Sequence, residues 1–283
     1  MSLLGRQLSR RKFIERAGSS ALVGLAMGAR GRSAGRAAAP SRTLALIGDR
    51  YHNSDFIRVA LSRLFKSLEL PVDFTINYEA ISADLLKGYQ LLVCFRDGMI
   101  WPNGYLGPDA YSYTGDLENP ADWPKEKPEG WIKEEQGKAI REFVLAGNGL
   151  YAFHNSSHIS LYSKDYRDVM GGAYIGHPPL RPFRVRITNP NHPITKGVGE
   201  FIVTDEQHYV TYDKDPRYII LGSENLDGLD FENHGTQAVA GWAYEYGQGR
   251  VVFTAPGHTL HALWQPEYFK LQQNAVRWLL RMG

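Results

Sequence analysis

Thr43-Leu44-Ala45-Leu46-Ile47-Gly48 is an unbroken apolar run that stops at glycine, and after a polar loop Phe56, Val59, Ala60, Leu64 and Leu68 recur at helical spacing. The pattern predicts strand, loop and helix. Val72-Asp73-Phe74-Thr75-Ile76 alternates as a second strand, Ala83 to Leu86 allows a short helix, and Gln90 to Phe95 supplies a third strand. Glu134 to Leu145 reads as an amphipathic helix closed by Ala146-Gly147-Asn148-Gly149, and Leu150-Tyr151-Ala152-Phe153 follows as a buried strand. Further on, Phe183 to Thr188 and Phe201 to Thr204 are extended, and Tyr218 to Leu221, Val239 to Trp242 and Arg250 to Ala255 are later strands. A helix with apolar Phe269, Ala275, Val276 and Leu279 closes the chain from about Pro266 to Leu280. Strands alternating with helices predict an α/β fold: a mostly parallel sheet flanked by helices, with chemistry at the carboxyl ends of the strands. No linker interrupts residues 40–283, which read as one domain; the alternative boundary lies at 178–182, where Pro178, Pro179 and Pro182 punctuate the chain.

One stretch breaks the alternation. Between the third strand and the helix at Glu134, an insertion at about 99–132 carries Trp101, Tyr105, Tyr111, Tyr113, Trp123 and Trp131 among five prolines. A loop of this length after a strand's carboxyl end sits where a lid would, and aromatic rings offer flat faces for the C–H faces of a sugar. Packing of the loop onto the body, or into a contact between copies in a homo-oligomer, accounts for the same residues.

Composition narrows the class. The chain has 283 residues, a single cysteine, 43% hydrophobic and 22% charged residues, which excludes a disulfide-stapled mini-domain, collagen and wholesale disorder. Its net charge of +2 comes from the head: residues 1–39 hold eight of the 32 basic groups and one of the 30 acidic ones, leaving 24 against 29 in residues 40–283. That balance opposes nucleic-acid binding by the body. Ser9-Arg10-Arg11-Lys12-Phe13-Ile14, the weakly hydrophobic Ala17 to Met27, and Ala37-Ala38-Ala39 before Pro40 read as a twin-arginine export signal cleaved near Ala39. The expected location is periplasmic or otherwise exported, with no stable membrane span, because the apolar stretch is short and glycine-rich. Cys94, inside Leu91-Leu92-Val93-Cys94-Phe95, reads as a small buried hydrophobe.

Histidines gather at the strand ends. His154 follows the strand 150–153; His177 follows Gly171-Gly172-Ala173-Tyr174-Ile175-Gly176, expected as a glycine-flanked loop; Glu206 lies in Thr204-Asp205-Glu206-Gln207-His208-Tyr209; and His258 lies in Pro256-Gly257-His258-Thr259. Imidazoles that titrate near neutrality beside carboxylates suit proton transfer or a divalent metal such as zinc. His154, His177, Glu206 and His258 are the catalytic candidates, and His154, Glu206 and His258 the metal candidates. His52, Asn155, His208, Trp101, Tyr111 and Trp123 are the candidates for holding substrate. His-Glu-x-x-His, paired Cys-x-x-Cys and a calcium loop are all missing. Gly147-Asn148-Gly149 is too short for a phosphate loop and the first strand lacks Gly-x-Gly-x-x-Gly, so no nucleotide is expected. A serine hydrolase using Ser156 or Ser157 with His258 is a weaker alternative, since Gly-x-Ser-x-Gly is absent.

Gly-Asn-Gly-Leu-Tyr-Ala-Phe-His-Asn at 147–155, Gly-Gly-Ala-Tyr-Ile-Gly-His-Pro at 171–178, Asn189-Pro190-Asn191-His192-Pro193-Ile194, Thr-Asp-Glu-Gln-His-Tyr at 204–209 and Gly-Arg-Val-Val-Phe-Thr-Ala-Pro-Gly-His-Thr at 249–259 together resemble the ThuA-like, trehalose-utilisation family. The resemblance spans roughly residues 42–281. It implies a three-layer fold similar to class I glutamine amidotransferases (flavodoxin-like), with the strand-to-helix elbow at Phe153-His154-Asn155-Ser156. Because that elbow holds no cysteine, glutaminase chemistry is not expected. The resemblance also implies sugar utilisation beside oxidoreductases that make 3-keto sugars, hence elimination or hydrolysis of an oxidised glycoside by His/Glu acid–base chemistry with metal assistance. A non-catalytic exported sugar-binding protein is the alternative.

Overall fold

The computed structural model describes residues 42–102 and 127–282; the expected export signal at 1–39, Tyr105, Tyr111, Tyr113 and Trp123 lie outside them. Strand β1 (Thr43–Ile47) is buried along its whole length, as are β3 (Leu91–Phe95) and β6 (Gly149–Phe153), because each is a run of apolar side chains that needs cover on both faces. They pair in parallel with one another, with β2 (Val72–Thr75) outside β1 and β13 (Gly249–Thr254) beyond β6.

Helix α1 (Ser54–Ser67) buries Ile57, Ala60, Leu61, Leu64 and Phe65, one stripe at helical spacing, and Asn53 caps it by accepting from the Asp55 N–H. Helix α6 (Pro266–Leu279) starts with proline at its first turn and buries Tyr268, Leu271, Gln272, Ala275, Val276 and Leu279. These two helices pack together with α5 (Leu260–Leu263), while α2 (Ala83–Leu86), α3 (Glu134–Leu145) and α4 (Lys164–Met170) form a second group, so helices flank the sheet. Cys94 is fully enclosed, and burial pushes its thiol pKa up to about 12, which fits a packing role.

The sheet departs from the expected mostly parallel form. Its nine strands run β2-β1-β3-β6-β13-β12-β11-β8-β9, where β8 is Arg181–Ile187, β9 Phe201–Asp205, β11 Ile219–Asn225 and β12 Gln237–Tyr246. The four pairings on the β2 side of β13 are parallel and the four on the β9 side antiparallel, so the sheet is mixed. The β12-to-β13 link is the two-residue turn Gly247-Gln248, too short for a crossover helix, and it forces the reversal. Edge strand β9 alternates buried and exposed, as one half-covered face requires. Register shifts between β11 and β12 bend the antiparallel half. β8 runs from Arg181 straight into this sheet, which leaves no boundary at 178–182.

Two further differences concern the loops. Gly172–Gly176, expected as a loop, is strand β7, paired antiparallel with β10 (Tyr209–Tyr212). The ends of the aromatic insertion are tied by β4 (Met99–Ile100) against β5 (Glu129–Gly130), and Trp131 is buried with its indole N–H donating to the Asp97 carbonyl. Trp131 therefore anchors the insertion's root and offers no stacking face. No helix among the described residues is long and apolar enough to cross a membrane.

Candidate functional site

β1 runs into Gly48, whose φ is +80° and where a Cβ would lie 2.6 Å from the Ser54 Cβ, leaving no room for a side chain. The chain then turns so that Asp49 takes N–H bonds from Tyr51, His52 and Asp97 at 2.8, 2.9 and 2.8 Å. The same carboxylate lies 2.9 Å from His52 Nδ1 and accepts from the Asn155 amide. Burial acts to raise the Asp49 pKa, but the His52 ring and the N–H groups outweigh it and hold the carboxyl below its usual range. An ionised Asp49 keeps the proton on His52 Nδ1, which leaves Nε2 as a bare lone pair.

β6 ends at Phe153, and His154 adopts a left-handed φ of +45° at the entry to a 3-10 segment, residues 154–161. Its Nδ1 donates to the Ala255 carbonyl at 2.6 Å, so a neutral His154 also presents a bare Nε2. Burial, then neighbouring His208, drives its pKa well below the ordinary histidine value. His177, just past β7, repeats the device: Nδ1 donates to the Pro178 carbonyl at 2.9 Å and Nε2 is left over.

The far edge strand supplies the carboxylate. Asp205, at the end of β9, accepts the N–H groups of Gly257 and His258 at 3.0 and 2.9 Å, which clamps the end of β9 to the turn after β13. Burial raises its pKa to about 6 against those bonds. The clamp places Glu206 among imidazoles. Its Oε2 lies 3.0 Å from His258 Nδ1, 3.3 Å from His154 Nε2, and 3.5 Å from both His177 Nε2 and His208 Nε2. His52 Nε2 is 3.2 Å from His258 Nδ1. Burial acts against the Glu206 charge, yet the contacts with His154, His208 and His258 hold its pKa far below the carboxylate range. For His258 burial is likewise outweighed, by Glu206 above all, and its pKa rises; His208, enclosed and flanked by His177, falls to about 4.

His154 Nε2 and both ring nitrogens of His208 are buried without a hydrogen-bond partner. A neutral His154, its Nδ1 proton given to Ala255, therefore turns its buried Nε2 lone pair toward the ionised Glu206 carboxylate, acceptor against acceptor. Such an arrangement is costly unless a cation lies between them. Imidazoles whose far nitrogen donates to a carbonyl or carboxylate, with the near one aimed at a common point, are also what a divalent ion requires. His52, His154, Glu206 and His258 bring their donor atoms within 4.8 Å of one another, and so do His177, Glu206 and His208. The donor set fits zinc or a similar ion.

His52, His177, Glu206, His208 and His258 line a cavity of about 740 Å³, within the range of small-molecule sites, and His154 lies buried behind them. His177 and His258 are its more open imidazoles, with 28% and 24% of their side chains exposed. The same cavity is lined by Asp97, 3.1 Å from His158 Nδ1, and by Tyr174, whose ring touches those of both His158 and His208.

All four catalytic candidates thus meet at Glu206 Oε2. Of the substrate candidates, Asn155 and His208 reach the cavity wall, His208 almost wholly enclosed and the Asn155 amide donating to Asp49. His52 lines the cavity but its free nitrogen faces His258. Trp101 lies under the Arg50 guanidinium, 4.1 Å from ring centroid to Cζ, and Tyr111 and Trp123 fall outside the described residues. Ser156 is enclosed, Ser157 Oγ donates to the His154 carbonyl, and neither lines the cavity, which removes the serine-hydrolase reading. Asp49, Asp97, His158, Tyr174 and Asp205 were not singled out as candidates. Asp49 was detectable at i−3 from His52 directly after a strand-ending glycine, whereas Asp205 and His158 become informative only through partners 53 and 61 residues away.

Comparison with known proteins agrees with this architecture. Two ThuA-like proteins of known structure are similar: one from Parabacteroides merdae (TM-score 0.63, 16% identity, 85% of this chain and 90% of that one) and one from Bacteroides uniformis (0.59, 16%, 88% and 95%). A cold-adapted β-galactosidase from Rahnella sp. matches over 87% of this chain but 32% of its own (TM-score 0.53, 13% identity). At these identities the likeness is one of fold. A search of curated proteins gives no match. The family model described as ThuA, trehalose utilisation, matches residues 48–279, and the chain belongs to the ThuA family.

Proposed function

We propose that this protein is an exported carbohydrate-active enzyme that cleaves the glycosidic bond of a 3-keto-glycoside by elimination or hydrolysis. The observation that carries the reading is the convergence of His154, His177, His208 and His258 on one oxygen of Glu206 at the wall of a sugar-sized cavity. A ketone at carbon 3 acidifies the hydrogen on carbon 2, so the reaction needs a base at carbon 2, stabilisation of charge on the ketone oxygen, and a proton for the leaving oxygen on carbon 1.

His52, His154, Glu206 and His258 would hold a divalent ion such as zinc. Bound there, the ion supplies positive charge for the ketone oxygen. Asp49 and the Ala255 carbonyl hold the proton at Nδ1 of His52 and His154, keeping Nε2 of each free. His158, backed by Asp97 and lining the same cavity, takes the carbon 2 proton, and the resulting imidazolium returns it to the departing glycosidic oxygen. His177 completes the polar wall the sugar meets. The three-layer fold of class I glutamine amidotransferases is supported by the order β2-β1-β3-β6-β13, which counts as 2-1-3-4-5 among the parallel strands, and by the left-handed residue at the elbow. Histidine stands there in place of the cysteine nucleophile.

The test is purified protein with matched native and 3-keto glycosides, before and after chelation and metal restoration. Turnover confined to the keto substrates, lost with the metal and regained with it, is expected. Saturable binding without turnover across the panel would make it a sugar-binding protein, and turnover indifferent to stringent chelation would remove the ion from the mechanism.

A further inference from the structure

Five imidazoles and Glu206 offer six donor atoms, more than the four ligands zinc usually takes. The imidazoles here fall into two groups, His52 with His154 and His258, and His177 with His208, and the groups meet only at Glu206. His154 and His208 belong to different groups, and their rings lie face to face with centroids 3.9 Å apart. His208 is the second, independent sign. It is 2% exposed, neither ring nitrogen has a hydrogen-bond partner, and an ion held by His52, His154 and His258 would leave it unsatisfied.

From this geometry we propose a dinuclear centre in which Glu206 is shared between two divalent ions, one in the His52–His154–His258 group and the other held by His177 and His208. The second position has three protein ligands, so it keeps a place open toward the cavity, where the 28% exposed His177 stands. Paired ions of this kind suit a substrate with two adjacent oxygens, such as a ketone beside a hydroxyl, each oxygen meeting one ion. The proposal rests on the metal-assisted reading above and extends it to a second ion and to that substrate class.

The experiment counts zinc. Full-length protein purified from its host is stripped with chelator, reloaded with zinc, desalted, and measured by elemental analysis and native mass spectrometry. Two equivalents per chain are expected, falling to one in His177→Gln and in His208→Gln, with circular dichroism confirming the fold. Cobalt substitution gives a second readout, in which magnetic coupling through the shared carboxylate is present in the parent and lost in His177→Gln. One equivalent in the parent overturns the dinuclear proposal and leaves the single-ion reading standing, whereas none overturns both. Two equivalents unchanged in both variants would overturn the placement of the second ion.

Discussion

Gly257 shows how tightly individual residues set this site. A Cβ there would lie 2.7 Å from the His154 Cβ and 3.0 Å from Phe95 Cζ, while the Gly257 N–H is already given to Asp205. His154 cannot yield easily, because its φ of +45° and its bond to the Ala255 carbonyl fix it from two sides. Gly257→Ala is therefore expected to turn the His154 ring away from Glu206, lowering metal affinity by about 10–100-fold, as loss of ligand orientation does elsewhere. Overpacking should lower the melting temperature as well. Metal titration with a thermal melt checks this, and unchanged values in both would mean His154 is not held by this packing.

Among the elements, α3, α4 and the end of β12 are joined by one carboxylate remote from the cluster. Asp168, on α4, accepts from Arg141 Nε of α3 at 3.1 Å, from Lys214 Nζ at 2.9 Å and from the Tyr246 hydroxyl of β12. Burial acts to raise its pKa, but Tyr246, Lys214 and Arg141 lower it from 3.8 to about 2. A carboxyl whose folded pKa is depressed contributes stability that is present above its unfolded pKa and lost as pH falls through the folded one. Asp168→Asn should consequently be less stable than the parent at pH 6, with the gap closing between about pH 4 and pH 2. Solvent screening keeps the effect modest, since 45% of the side chain is exposed. Urea titrations across that window measure it, and a gap independent of pH would show that the hydrogen bonds act without the charge.

At the scale of the whole molecule, residues 1–39 and 40–283 differ in charge. Residues 1–39 carry eight basic groups and one acidic one, whereas the body is net acidic. Replacing Arg10 and Arg11 by lysine is expected to retain the uncleaved chain in the cytoplasm, while the parent appears outside it, shorter by about the 39 residues ahead of Pro40. Cell fractionation with intact-mass measurement decides, and equal export of both chains would remove the twin-arginine assignment. The body's elements were legible beforehand: β1, β3 and β6 are apolar runs of five ended by turn residues, and α1 and α6 carry apolar stripes at helical spacing. Strand direction was not, because a buried strand reads alike whether its neighbour is parallel or antiparallel. Hence the antiparallel half went unforeseen, as did β7, whose glycines resemble a loop. The sequence alone determined which imidazoles and carboxylates stand at strand ends, since that depends only on local punctuation. Only the tertiary structure decided that they meet, because the Asp205 clamp ties the end of edge strand β9 to the turn after β13. The same folding chose which nitrogen each ring exposes, a property set by carbonyls and carboxylates distant in sequence.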